Sequence, residues 1–487
     1  MVKLRGVSLS PTGWITTEKM AQQILWLVLF AVLAPILGPK PYGLFSLTMV
    51  VIGFCELVLA ESAAEALLSL DIMTPAHIGT ANLCNLAAGA GAALLTVAIA
   101  EPMAILFRAP PLALLLMALS PLPILSALVS APTAVLKRDQ DFRPFALRSI
   151  LGLTIGGVCG VIAALTGQGV WSLVIQVLTQ RVAEVAILWS AKPGSLRMSW
   201  SSRCFHDLKG CAGNVFVSKS LMWGTAQLPR VIIGGMLGPT VLGLFTLANR
   251  VADVLLQVVL VPATTVARLE MRQFSENRAG LDLALSRLLR EVGLIAFPAC
   301  LGLAAVVPPL FSLWLGPRWS GAHLATQITL LTVLPFTYFY CTTAVMMGLK
   351  LSRMDVIIQA TLGLSSALVT VIAAPLGLDA VCAALLLRLV VMLALPLGML
   401  GRAAGLRPLL VLAAPWRPAA AALVMAALLI ALTPWLEAVC GRLMVLPAMI
   451  LLGAAVYGLL ILVLAPGDVR RLMRALNPVD AELGPQG

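Results

Sequence analysis

Six basic residues stand inside apolar stretches of this chain, where a charge needs a reason: Lys19, Arg181, Lys219, Arg230, Arg250 and Arg388. A charge at mid-bilayer costs about 2.5–3.5 kcal/mol on insertion scales, so such a side chain faces protein or water. An arginine fork can hold a diphosphate or an acidic sugar through charge-assisted hydrogen bonds. Arg230 precedes Gly238 by eight residues and Arg250 follows Gly243 by seven. At 1.5 Å per residue these are about 12 and about 10–11 Å along adjacent antiparallel helices, which predicts two guanidiniums at similar depth. Local pairing is the competing reading, because Asp253 lies one turn from Arg250. Lys19 and Lys219 each precede a Leu-Gly-Pro glycine by 19 residues. At an inner mouth they could capture an anionic headgroup, or they could simply snorkel to the interface. Glu18 sits beside only one of them.

Arg181 and Glu184 are one turn apart, which favours an ion pair over a substrate site, whereas Arg388 has no acid nearby in its own helix. Glu56 and Asp253 are carboxylates that could respond to an ion gradient by exchanging a proton, or could pair with an arginine. Trp26 and Trp223 lie deep in two spans and could stack on a sugar ring or pack between helices. Trp14, Trp171, Trp189, Trp314, Trp319, Trp416 and Trp435 sit near span ends and read as interface anchors.

The elements that must position these residues are membrane helices. The chain has 487 residues, 60% hydrophobic and 11% charged, with a mean hydropathy of +1.00. Soluble proteins run about 45–50% apolar and about 25% charged, so a cytosolic enzyme, a disulfide scaffold and a disordered chain are excluded. Apolar windows predict about fourteen spans, the first near 14–36 and the last near 444–465. The fold class is therefore all-α and polytopic. Met1–Arg5 leads into a full-length first span, so no cleavable signal peptide is expected.

The net charge of +12 could suggest nucleic acid. Of 33 Lys and Arg, however, 23 fall in segments that fourteen spans with cytoplasmic termini place inside, and four fall outside. That asymmetry is the positive-inside signature, and no nucleic-acid partner is expected. The 61–79 loop has no Lys or Arg, so its sidedness is open. Nine scattered cysteines and three separated histidines give no disulfide or metal framework, and no nucleotide-binding or catalytic pattern is present. No cofactor is expected, and the chain reads as a non-enzyme.

An internal repeat organises the spans. Residues 37–47, LGPKPYGLFSL, match 237–247, LGPTVLGLFTL, at an offset of 200. TAV at 133–135 and VIAA at 161–164 recur at 343–345 and 371–374. Both long motifs follow an odd-numbered span, so the repeat is parallel, two sets of six helices related by an axis along the membrane normal. The expected divisions are 1–200, 201–405, two additional helices over 406–467 and a cytoplasmic tail at 468–487.

LGPxxYGLFSL after the first span, LKRDQDFRPFALRS at 136–149, GMLGPTVLGLFTLANR at 235–250 and LGPRW at 315–319 together resemble the Wzx-type flippases of the multidrug/oligosaccharidyl-lipid/polysaccharide exporter superfamily. The resemblance covers about residues 10–400. It implies two six-helix bundles in a V around a cationic cavity, in a bacterial inner membrane. It also implies movement of undecaprenyl-diphosphate-linked repeat units to the outer leaflet by alternating access. The partners implied are the lipid-linked anionic oligosaccharide, membrane lipids, and the polysaccharide polymerase and export machinery. Many relatives carry an acid before the span-7 arginine, where this chain has Pro229 before Arg230. The alternatives are a cation-coupled multidrug exporter of the same superfamily and a membrane polysaccharide polymerase or ligase.

Overall fold

The computed structural model describes residues 11–274 and 280–467. The tail expected at 468–487 and the basic residues Lys3, Arg5, Arg278, Arg470, Arg471 and Arg474 lie outside them. Helices α1 to α18 run in chain order over Pro11–Leu37, Pro39–Leu68, Pro75–Leu106, Pro111–Leu119, Leu122–Arg138, Phe142–Leu165, Trp171–Ala191, Ser202–Met236, Gly238–Leu255, Val261–Glu270, Leu281–Trp314, His323–Leu331, Val333–Gly348, Ser352–Ala373, Leu378–Met392, Ala394–Ala404, Pro408–Ala413 and Trp416–Leu464. No strand occurs among the described residues. Twelve segments there are long and apolar enough to cross a membrane. Helices α2 and α8 lie outside those twelve, yet at 30 and 35 residues they reach about 45 and about 52 Å.

The chain divides into two compact units, Met1–Gly243 and Leu244–Gly487. In the first, α6 packs on α7, α2 on α5 and α8, and α1 on α6. Small residues make these approaches possible. Along α6, Gly152, Gly156 and Gly160 face Glu184, Gln180 and Gln176 of α7 so closely that added side chains would collide. The repeated motif has a structural reason of the same kind. Gly38 and Gly238 take positive φ, 77° and 84°, between consecutive helices. A Cβ on Gly43 would strike the Pro239 carbonyl, and one on Gly243 would strike the Pro39 carbonyl. The two copies of the motif thus meet backbone to backbone inside the first unit.

The sequence predicts a loop over 61–79, and the structure shortens it to 69–74. The Ala- and Glu-rich run AESAAEALL continues α2 to Leu68, and α3 restarts at Pro75 behind a capping box of Thr74 and His77. Arg138 at the end of α5 donates to the Leu70 carbonyl at 2.8 Å and to the Asp71 carbonyl at 2.5 Å. Lys192 donates to Asp139 at 2.8 Å, and Asn82 donates to the Arg197 carbonyl at 3.0 Å. The loop without a basic residue therefore lies at the same end of the unit as Arg138, Lys192 and Arg197, and borrows its cation from α5. The hydrogen bond to Asp139 holds the half-buried Lys192 ammonium above its usual range.

In the second unit α11, 34 residues with three internal prolines, packs along α18. Ala305 and Val306 meet Met425, Leu429, Leu436, Val445 and Met449 there, and Tyr457 donates to the Leu294 carbonyl at 2.9 Å. Gly441, at φ 72° and ψ 168°, breaks α18 into two arms corresponding to the last two expected spans. One anchor expectation is overturned. Trp319 is fully buried, because its 3-10 turn, Pro317–Ala322, folds against α11 and α12 behind Gly316 at φ 74°. Trp171, Trp314, Trp416 and Trp435 are exposed, in keeping with interface positions.

Candidate functional site

The polar interior of the first unit is built on five helices. Arg181 of α7 lies 2.8 Å from Glu184 on the same helix and 3.0 Å from Glu56 of α2. Ser126 of α5 donates to Glu56 at 2.7 Å, and Gln180 donates to Glu184 at 2.9 Å. Ser149 of α6 donates to Glu18 of α1 at 2.6 Å. Arg148 lies in the electrostatic reach of both Glu18 and Glu184, with its guanidinium 4.5 Å from the Phe145 ring centre. Apolar helices can carry these charges because each acid has at least one hydrogen-bond donor: Glu56 and Glu18 receive theirs from neighbouring helices, and Glu184 from Gln180 and Arg181 of its own helix.

Arg181 is thus held by two carboxylates, with both terminal nitrogens engaged. The expected pairing with Glu184 is present, and Glu56 joins it from another helix. Glu56, read as a possible coupling group, is the third member of that triad. Lys219 pairs with Glu65 of α2 at 3.6 Å, and Lys19 is exposed on α1. Trp223 packs on Gly53 of α2 and donates to the Val50 carbonyl at 3.5 Å, which is helix packing. Trp26 is half-buried on α1. Arg230, half-buried on α8, donates to Gln227 at 2.5 Å.

In the second unit Arg250 and Asp253 are half-buried on α9. A π-helical turn, Leu256–Leu260, follows them and absorbs Pro262 without ending the span. Tyr340 of α13 lies in electrostatic reach of Asp253. Arg388 of α15 donates to the Leu362 carbonyl and, at 3.2 Å, to the Ser365 hydroxyl of α14. Among the described residues it makes no ion pair, and its Nε is buried without a hydrogen bond. Its charge is therefore solvated by neutral dipoles alone.

Two members of the polar interior escape the linear sequence. Arg148 reads as a cytoplasmic orienting charge, and Glu18 as a neighbour of Lys19. Both belong to the buried chain because α6 and α1 cross there. The adjacent Arg148-Ser149 pair in an otherwise apolar helix is the available signal, and it names no partner.

With this arrangement in place, similarity to known proteins can be weighed. A family model described as "Polysaccharide biosynthesis protein" matches residues 32–324. The chain belongs to that family. A curated relative, the succinoglycan biosynthesis transport protein ExoT of Rhizobium meliloti (strain 1021), is 27% identical over 310 residues. That match covers 64% of this chain and 63% of the relative's length. Among solved structures, the lipid II flippase MurJ in an inward closed conformation superposes with a TM-score of 0.72 at 15% identity, covering 92% of this chain and 98% of that one. An inward-facing multidrug resistance MATE family transporter of the MOP superfamily gives 0.58 at 16% identity, covering 76% and 92%. This member of the polysaccharide biosynthesis family therefore has the fold shared by MurJ and the MATE transporters.

Proposed function

We propose that this protein flips a lipid-linked anionic oligosaccharide across the bacterial inner membrane, with both termini cytoplasmic. Family membership and the likeness to a polysaccharide transport protein support the polysaccharide class. The observation that carries the anionic headgroup is Arg388, a membrane-depth guanidinium that no carboxylate among the described residues neutralises. Arg230, which donates to the neutral Gln227, and Arg250 are the further headgroup ligands. Lys19 and Lys219 serve capture at the inner mouth. Trp26 and Trp223 are left with packing as the simpler role. Transport would proceed by alternating access, and polymerase and export machinery would receive the flipped unit.

The test is replacement of Arg230 and Arg250 by Ala. Polymer export should stop while the protein stays in the membrane, and lipid-linked oligosaccharide should build up in the cytoplasmic leaflet. Normal export by the double variant would sink the headgroup site. Unpolymerised units in the outer leaflet on depletion of the protein would favour a polymerase. The acid-rich interior of the first unit favours a multidrug exporter as the second reading, and that reading predicts hypersensitivity to cationic drugs with polymer export intact.

A further inference from the structure

The charges connected to one another inside the first unit do not sum to zero. Glu18, Arg148, Glu184, Arg181 and Glu56 alternate in sign along one connected chain, three acids against two bases. With all five ionised, the chain would keep one uncompensated negative charge at membrane depth, which a single bound cation removes. Glu184 and Glu56 share Arg181 at 2.8 and 3.0 Å. Glu18 is different. It is 6% exposed, and among the described residues no cation stands within ion-pair distance of it. Among the described residues it accepts one hydrogen bond, from the Ser149 hydroxyl.

The groups facing Glu18 from its own and neighbouring helices are few. Lys19 on α1 and Lys137 at the end of α5 are exposed, so water screens them. Helix α6 contributes Arg148 and Ser149. Helix α2 contributes Glu56, held by Arg181, and Glu65, paired with Lys219. Arg148 is the second, independent sign of a site. Its Nε is buried with no hydrogen bond among the described residues, although Glu18 and Glu184 are both in its electrostatic reach. A guanidinium resting on the Phe145 ring between two acids is poised to pair with whichever becomes more negative.

We propose that this chain of charges is a proton-binding site, with Glu18 as the group that takes up and releases the proton and Arg148 as its switching counter-ion. Glu18 lies one residue inside its span beside exposed Lys19, so the proton comes from and returns to water at that mouth. Protonated Glu18 is neutral and leaves Arg148 on Phe145. Loss of the proton restores the carboxylate, and Arg148 swings to it, moving α1 against α6. The proposal does not depend on what the protein transports.

Infrared spectroscopy of the full-length protein in detergent tests it through the C=O stretch of a protonated carboxyl, followed as pH is stepped. Wild type should show one such band near neutral pH that disappears as pH rises. Glu18→Gln should lack it, and Ser149→Ala should keep it at a shifted frequency because the hydroxyl partner is gone. Arg148→Gln should roughly double it, since the chain then lacks two positive charges. A band that survives at full intensity in Glu18→Gln, or that vanishes in Glu56→Gln instead, overturns the assignment, as does its absence from wild type. Should Glu18→Gln fail to fold, an unshifted band in Ser149→Ala overturns it alone. No polymer is read in this experiment, so its failure and that of the flippase reading are distinct.

Discussion

Removing Arg181 isolates the energetics of the first unit's interior. The guanidinium pairs with Glu56 at 3.0 Å and with Glu184 at 2.8 Å, and those side chains are only 15% and 6% exposed. Arg181→Ala leaves two partly dehydrated carboxylates with Ser126 and Gln180 as their remaining donors. Breaking a buried pair by deleting one partner costs about 3–5 kcal/mol, which at about 1.4 kcal/mol per decade shifts the folding equilibrium by more than about a hundredfold. The assay is thermal unfolding of the full-length protein in a mild detergent, read as the temperature at which the monodisperse peak is lost. Arg181→Ala should lower that temperature strongly. The variant Arg181→Met/Glu56→Gln/Glu184→Gln should recover most of the loss, because a buried ionic cluster replaced as a whole by neutral side chains is often nearly neutral in stability. If Arg181→Ala melts with wild type, or the neutral triple variant melts with Arg181→Ala, the cluster is not held by its charges and the reasoning fails.

The remaining expectations use packing and one added charge. Gly43→Ala must push its Cβ into the Pro239 carbonyl and should cost about 1–3 kcal/mol, whereas Gly91→Ala, with nothing within 4 Å, should gain up to about 1 kcal/mol from helix propensity; the same melting assay reads both. Trp319→Ala empties a fully buried site and should cost about 3–5 kcal/mol, while Trp435→Ala, 60% exposed, should leave the melting temperature nearly unchanged. Ser365→Asp places a carboxylate where the Arg388 guanidinium now meets a hydroxyl at 3.2 Å. The new pair should keep the protein folded while polymer export falls, and undiminished export would remove Arg388 from the headgroup site.

What could be read from the chain alone follows from range. Helix identity is local, so the apolar runs and the glycines of the repeated LGP motif are legible. The reciprocal contact of Gly43 and Gly243 was legible as a repeated residue but not as an approach of two backbones. Trp319 was misread because closeness to a span end is a one-dimensional property, and a 3-10 turn reversed its direction. The loop at 61–79 was overextended because Glu61 and Glu65 look polar, although Glu and Ala favour helix.

Charge pairing lies beyond that range, and it decides which intramembrane cations remain available. Arg181 and Glu56 are 125 residues apart, so the sequence offers only Glu184 as a partner, for one of the two terminal nitrogens of Arg181. The helix crossing brings Glu56 to the other. Conversely, Arg388 lacks a local acid in sequence, and the α14–α15 crossing supplies a carbonyl and a hydroxyl instead of a carboxylate. A dipole can solvate a guanidinium without cancelling its charge, so an anion arriving there gains the full ion pair, whereas at Arg181 it would first have to displace Glu56 or Glu184. Anion affinity inside these spans should therefore follow the absence of a carboxylate across the nearest helix crossing, not the presence of arginine itself.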